Sequence, residues 1–370
     1  MTRVRTGLER VAAGERRIGG ARAGLITNPT GVLPDLTPSA PALLAAGVPV
    51  TALFGPEHGL RGTVQAGGGE ADAADPDIGL PVFDTYGRSG AALDEVVASS
   101  GVDVLVFDIN DVGTRFYTYL WTMYDLLASA GRLGLRFVVL DRPNPIGGVR
   151  VEGPLLDPGF AGFLGRLPVP IRHGLTAGEM ALLAGRRLGV EPEVVPMEGW
   201  RREWYFDRTG LPWVMPSANM PTLDTALVYP GTGLLEGTNV SEGRGTTRPF
   251  ELIGAPFVDG RFARELAALG LPGVRFRGAW FTPTAGKYAG TPVRGVQVHV
   301  TDREAFRPVL TGVSVLHVLR TLYPEDFACG PFLDSLWGSD SLRRALEAGE
   351  DPRGLCGSTG WSGPPEPLYR

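Results

Sequence analysis

The chain has 370 residues, 43% of them hydrophobic and 20% charged, with a formal net charge of -5. That balance lacks the basic footprint of a nucleic-acid binder. Two cysteines, Cys329 and Cys356, exclude a disulfide framework or a Cys-rich zinc module, and no run reaches the roughly 18 apolar residues of a membrane span. The 53 glycines and 32 prolines stop just short of a low-complexity composition, so the chain reads as globular, with many ordered loops. A single lysine, Lys287, stands among 35 basic residues, an excess of arginine read here as coding bias.

The N-terminus, Met1-Thr-Arg-Val-Arg-Thr-Gly-Leu-Glu-Arg10, has no apolar h-region and carries an acid early. A cytoplasmic protein is therefore expected, exported only if its true start lies upstream. The first half then repeats one pattern: a short apolar run, a polar turn, a helical stretch. Runs at 24–27, 48–54, 102–107 and 136–140 are continuous and rich in β-branched residues, as strands buried on both faces are. Ile171 and residues 193–195 are expected to add short strands. Helices are predicted over 38–46, 91–99 and 117–130, and Thr176-Ala-Gly-Glu179 is a capping-box start for another reaching Leu188. Strands alternating with helices predict an α/β fold, a Rossmann-like doubly wound parallel sheet, over residues 1–204. Past an aromatic cluster at 200–213, better suited to packing than to sugar stacking, regular alternation stops. Antiparallel material at 274–281 and 295–300, with helices at 303–322 and 340–348, predicts a second, smaller α+β domain over 205–370. No fixed-period repeat is present.

In open α/β sheets ligands bind beyond the carboxyl ends of the strands. Four successive strand ends here lead into Thr27-Asn28-Pro29-Thr30-Gly31, Gly55-Pro56-Glu57-His58-Gly59-Leu60-Arg61-Gly62, Asp108-Ile-Asn110-Asp111-Val-Gly113-Thr-Arg115-Phe-Tyr117 and Asp141-Arg142-Pro-Asn144-Pro145. Caps and turns explain each residue singly, but not so polar a rim on a chain this poor in charge. Glu57 stands out: it follows a wholly apolar strand between Pro56 and Gly59, where partial burial would keep a general acid protonated. Asp108 and Asp111 are the expected partners for a second carboxylate, and two carboxyls flanking a bond suffice for glycoside hydrolysis. His173, just before the capped helix, is placed within reach of the rim. A second polar segment, Glu236-Gly-Thr-Asn239-Val-Ser241-Glu242-Gly243-Arg244-Gly245-Thr246-Thr247-Arg248, offers two arginines able to clamp a carboxylate or phosphate. It lacks the ending of a P-loop, and the metalloprotease, nucleophile-elbow and dinucleotide motifs are missing. Gly67-Gly-Gly69 reads as a flexible loop.

Together these strings resemble the NamZ-like exo-β-N-acetylmuramidases, a bacterial glycoside hydrolase family. The resemblance is carried by Leu25-Ile-Thr-Asn-Pro-Thr-Gly31, Phe54-Gly-Pro-Glu-His-Gly-Leu-Arg-Gly62, Phe107-Asp-Ile-Asn-Asp-Val-Gly-Thr-Arg-Phe-Tyr-Thr-Tyr119, Leu140-Asp-Arg-Pro-Asn-Pro145, Arg172-His-Gly-Leu-Thr176, Asn219-Met-Pro-Thr-Leu-Asp224 and Gly237-Thr-Asn-Val-Ser-Glu-Gly-Arg-Gly-Thr-Thr-Arg-Pro-Phe250. It implies a Rossmann-like domain and an auxiliary domain with the cleft at their junction. It also implies release of N-acetylmuramic acid (MurNAc) from non-reducing ends of peptidoglycan fragments in cell-wall turnover and recycling. The family's catalytic glutamate falls on Glu57. The lactyl carboxylate of MurNAc is a target for Arg244, Arg248 or Arg115. Asp108 or Asp111 is expected as base or electrostatic stabiliser, unless the substrate's acetamido group attacks instead. Asn28, His58, Arg61, Asn110, Tyr117, Arg142, Asn144, His173, Asn239 and Glu242 are expected around the sugar. No cofactor and no metal is expected. The alternatives are a metal-assisted hydrolase centred on His58 and the carboxylates, or a non-catalytic sugar-binding protein using the same cleft.

Overall fold

The computed structural model describes residues 3–19, 22–364 and 367–370. Seven strands form the larger sheet: β1 (Ala23–Thr27), β2 (Val50–Gly55), β3 (Ala73–Ala74), β4 (Pro81–Asp84), β5 (Val104–Asp108), β6 (Arg136–Leu140) and β7 (Glu193–Val195). Their order is β3-β4-β2-β1-β5-β6-β7, parallel throughout except for the short edge pair β3–β4. Leaving that edge strand aside, this is the doubly wound order in which strand succession reverses between β1 and β5.

The apolar runs became strands because both of their faces are covered. In β5, Val104 and Val106 join a cluster with Leu8, Val11 and Leu43, on helices Gly7–Ala12 and Ser39–Ala45. The alternate residues Leu105 and Phe107 join a larger cluster with helices Gly90–Ser100, Tyr119–Leu133 and Ala177–Leu188. The last of these carries the expected capping box, Thr176 with Glu179.

The smaller sheet is antiparallel, in the order β8-β10-β9: β8 (Leu252–Ala255), β9 (Val274–Phe281) and β10 (Val293–Val300). Helices Leu223–Thr232 and Gly260–Ala268 pack against it, Pro308–Leu322 packs on those two helices, and Pro331–Trp337 and Ser341–Glu347 follow beyond. One apolar cluster runs without a break from Phe107 and Phe116 through Tyr229 to Val313 and Leu336, so the two sheets share a core. Helices Leu223–Thr232 and Pro308–Leu322 cross through glycines. A Cβ at Gly231 would stand 1.8 Å from the Pro308 carbonyl oxygen, and one at Gly312 would stand 2.2 Å from that of Gly231.

Several expectations need correction. Ile171 opens no strand; its neighbour Arg172 makes isolated bridges to Thr114 and Glu152. The helix expected from 303 starts at Pro308, because Asp302 accepts from the amides of Glu304 and Ala305 and closes a separate turn first. Strand β4 and helices Leu223–Thr232, Gly260–Ala268 and Pro331–Trp337 were not anticipated. The aromatic cluster packs as expected: Trp200 is buried against Val4 and Met197 and meets Tyr369 edge-on, and Phe206 meets Trp213 edge-on. Among the described residues no helix is long and apolar enough to cross a membrane.

Candidate active site

A cavity of about 720 Å³ opens beside the end of β2, lined by Glu57, His58, Tyr117 and Thr118 and, from the chain after residue 223, by Tyr229, Glu236, Arg244 and Phe250. The turn 159–164 and the half-exposed Phe332 complete its wall.

Glu57 is 9% exposed, and both its oxygens are held. The Thr118 hydroxyl donates to Oε2 at 2.6 Å and the Gly67 amide to Oε1 at 2.8 Å. The Gly67–Gly69 segment thus closes back over the carboxyl instead of hanging free. His58 fixes that closure. Its backbone is left-handed (φ 73°), a conformation that costs a non-glycine residue free energy, and its amide donates to the Gly68 carbonyl at 3.0 Å. Its Nδ1 lies 2.8 Å from the Val64 carbonyl oxygen. A carbonyl only accepts, so Nδ1 carries a proton and donates it to Val64.

Beside the carboxyl runs an edge-to-face chain of rings, Tyr119–Tyr117–Tyr229–Phe250, with centroids 5.0, 5.7 and 4.6 Å apart. Tyr117 donates to Ser217 Oγ at 3.0 Å and Tyr119 to the Pro216 carbonyl at 2.5 Å. Burial first, then neighbouring phenols and acids, pushes the Tyr117 and Tyr229 hydroxyls well above the usual phenol range. They stay neutral at any working pH.

Arg244 lies across Phe250, its guanidinium carbon 5.1 Å from the ring centroid. Its Nη2 donates to Glu236 Oε1 at 2.6 Å and its Nε stands 3.2 Å from Glu242 Oε1. Burial raises the Glu236 carboxyl above its ordinary range, opposed by Arg244. Among the described residues that line the cavity, Glu236 is the one carboxyl besides Glu57.

Of the expected site residues, Glu57, His58, Tyr117 and Arg244 line the cavity; the others are engaged elsewhere. Arg142 grips Asp108 through Nε and Nη2 at 2.6 and 2.9 Å, both side chains buried, so Asp108 is not the carboxyl beside Glu57. This pair sits at the strand-order reversal, leaving a pocket of about 20 Å³ beside Asn110 and Trp213 where a doubly wound fold would seat a nucleotide. Asp111 also lies off the cavity wall: its Oδ2 accepts from the Gly113 amide at 2.7 Å and lies 3.8 Å from His173 Nε2. His173 Nδ1 accepts from the Leu175 amide, which puts its proton on Nε2. Neither that nitrogen nor Asp111 Oδ1 has a hydrogen-bond partner among the described residues.

Arg115 directs all four terminal N–H bonds at carbonyls, those of Pro154, Val169, Leu336 and Trp337. It therefore ties residues 154 and 169 to the end of helix Pro331–Trp337 and has no terminal donor left for a substrate carboxylate. Burial lowers its pKa to about 9. Arg248 pairs with Glu251 and Asp224, and Arg61 with Glu70 and Asp75, both off the cavity. Asn28, Asn110, Asn144 and Asn239 bond to nearby backbone or to Thr30. Glu242 ties Arg244 to Lys287. Sequence reasoning missed Thr118, Gly67, Tyr229 and Glu236 as cavity residues. Thr118 and Glu236 stood inside quoted strings, but nothing local told them from their neighbours. Among the described residues no group of three or more His, Cys, Asp or Glu side chains is placed to hold a metal ion.

Residues 23–224 match the family described as exo-β-N-acetylmuramidase NamZ, N-terminal, and residues 227–359 its C-terminal counterpart. The chain is similar to the peptidoglycan β-N-acetylmuramidase NamZ of Bacillus subtilis (strain 168), with 47% identity over 96% of this chain and 87% of that one. Two crystal structures of DUF1343 family proteins from Bacteroides fragilis NCTC 9343 share the fold. One has 34% identity and a TM-score of 0.87 over 96% of this chain and 95% of its own; the other has 29% and 0.74 over 94% and 92%.

Proposed function

The chain belongs to the exo-β-N-acetylmuramidase NamZ family, and we propose that it hydrolyses the glycosidic bond of non-reducing terminal MurNAc in peptidoglycan fragments, with Glu57 as proton donor. The observation that carries this reading is the placement of Glu57. It is a nearly buried carboxyl at the lip of a parallel strand, held by Thr118 and Gly67, facing a cavity walled by neutral phenols and closed by the chain after residue 223. Glu57 gives its proton to the leaving glycosidic oxygen as the bond to the anomeric carbon breaks. A water molecule adds to that carbon, and its proton passes to Glu236, whose Oε1 is held by Arg244 while Oε2 accepts no hydrogen bond among the described residues. Arg244 meets the lactyl carboxylate that distinguishes MurNAc from other amino sugars, since Arg115 and Arg248 lie off the cavity.

The test is release of free MurNAc from a MurNAc-GlcNAc disaccharide by wild type and by Glu57→Gln. Loss of a general acid lowers the rate by roughly 10²–10⁴-fold, and that drop is expected with the melting temperature retained. Equal release by both proteins would move the acid to another residue. No release by either, with binding intact, would replace the enzyme by a sugar-binding protein.

A further inference from the structure

In a chain that writes its other 34 cations as arginine, position 287 holds lysine, and its surroundings give a reason. Lys287 sits in the loop joining β9 and β10, outside the cavity wall. Its ammonium nitrogen lies 2.8 Å from the Leu235 carbonyl oxygen, 3.0 Å from that of Val240 and 3.0 Å from Glu242 Oε2. These three nearest acceptors, with the Glu236 carbonyl a longer contact at 3.4 Å, converge on one nitrogen, which suits three N–H bonds from a single atom and not the planar fork of a guanidinium. The loop is tied down around it. Thr284 donates twice to the Gly245 carbonyl, and Tyr288, left-handed at φ 60°, donates to that of Asn239 at 2.6 Å.

The consequence is a charge balance. Arg244 touches two carboxylates, Glu236 and Glu242, and two negative charges would more than neutralise it before any substrate arrived. Lys287 takes up one of them. We propose that Lys287 is a positioning residue for MurNAc recognition: by pairing with Glu242 it keeps the cluster around Arg244 from carrying a net negative charge that would repel the lactyl carboxylate. The proposal rests on the reading of Arg244 as the receiver of that carboxylate.

The experiment is calorimetric binding of free MurNAc and free GlcNAc, with melting temperatures, for wild type and four variants. Arg244→Ala tests the underlying reading and is expected to abolish the preference for MurNAc. Lys287→Met is expected to lower that preference tenfold or more, with GlcNAc affinity little changed. Lys287→Met/Glu242→Gln removes both the charge and its counter-charge, and is expected to restore the preference to within threefold of wild type. A merely structural lysine would not show this rescue, because the second substitution would only add damage. Lys287→Gln, which keeps donors for the two carbonyls without the charge, is expected to match Lys287→Met and serves if the methionine variant does not fold. An unchanged preference in Lys287→Met or Lys287→Gln, or a double variant poorer than the single, overturns the inference while leaving Arg244 in its role. A wild type that does not distinguish the two sugars removes the reading of Arg244, and the inference with it.

Discussion

Glu57, Asp108 and Asp111 all follow apolar strands or stand within three residues of one, yet their surroundings separate them. Asp108 meets a buried arginine face-on, Asp111 folds onto its own turn, and Glu57 alone reaches the cavity. What holds Glu57 there is modest: one hydroxyl and one backbone amide. Thr118→Val keeps the shape and removes the hydroxyl, leaving Oε2 without its donor. A hydrogen bond of this kind is worth about 1 kcal/mol net, more where a buried oxygen is left without its donor, so turnover is expected to fall about tenfold. Steady-state kinetics checks this; unchanged turnover would mean that the amide of Gly67 alone suffices to orient the acid.

The elements that frame the cavity are brought close by small residues. Helix Leu223–Thr232 carries Tyr229 into the site, and it crosses helix Pro308–Leu322 at Gly231 and Gly312 with no room for a methyl group. Gly312→Ala must therefore push the helices apart. Overpacking of this sort costs roughly 1–3 kcal/mol, measurable as a lower urea midpoint, and the displacement carries Tyr229 with it. Activity is expected to fall alongside stability. A variant that loses stability but keeps full turnover would show that Tyr229 tolerates the shift.

Across the whole molecule the C-terminal residues return to the first sheet. Tyr369 donates to Asp141 at 2.5 Å and the Leu368 amide to Glu179 at 3.1 Å. Asp141 is fully buried and also accepts from Thr176 and the amides of Arg142 and Gly178. Burial outweighs these donors and pushes its pKa up to about 6, from the 3.8 of a free side chain. A carboxyl raised on folding binds a proton that the unfolded chain does not, so its stabilising contribution is complete below pH 4 and is lost as pH rises through 6. Glu152, Glu236 and Glu251 are raised by burial too and act in the same direction. Wild type is therefore expected to gain stability between pH 7 and pH 4.5, by about 3 kcal/mol at most from Asp141. Asp141→Asn should flatten that slope, since the Thr176 and Tyr369 hydroxyls can turn to accept from an amide. Parallel slopes in denaturant titrations across this range would remove Asp141 as the source.

The parallel sheet was legible because strand identity is local. Runs such as Val104-Leu-Val-Phe, apolar on both faces, can only be satisfied inside a covered sheet, and the residues just past them must then form a rim. That reasoning reached Glu57, His58 and Tyr117 from composition and order alone. Strand β4 escaped because Pro81 and Asp84 interrupt its apolar pattern, and helix Leu223–Thr232 because Pro230 and Gly231 read as a break. The division of labour along the rim was decided only in three dimensions. An aspartate, asparagine or arginine carries the same donors and acceptors whether it binds a sugar or closes a turn. The choice depends on partners far along the chain: Thr118 for Glu57, Leu336 and Trp337 for Arg115, Lys287 for Glu242. Short-range pattern determines the scaffold because apolar burial is non-directional and accumulates along a run. Polar chemistry is directional and acts over a few ångströms, so its assignment waits for the fold.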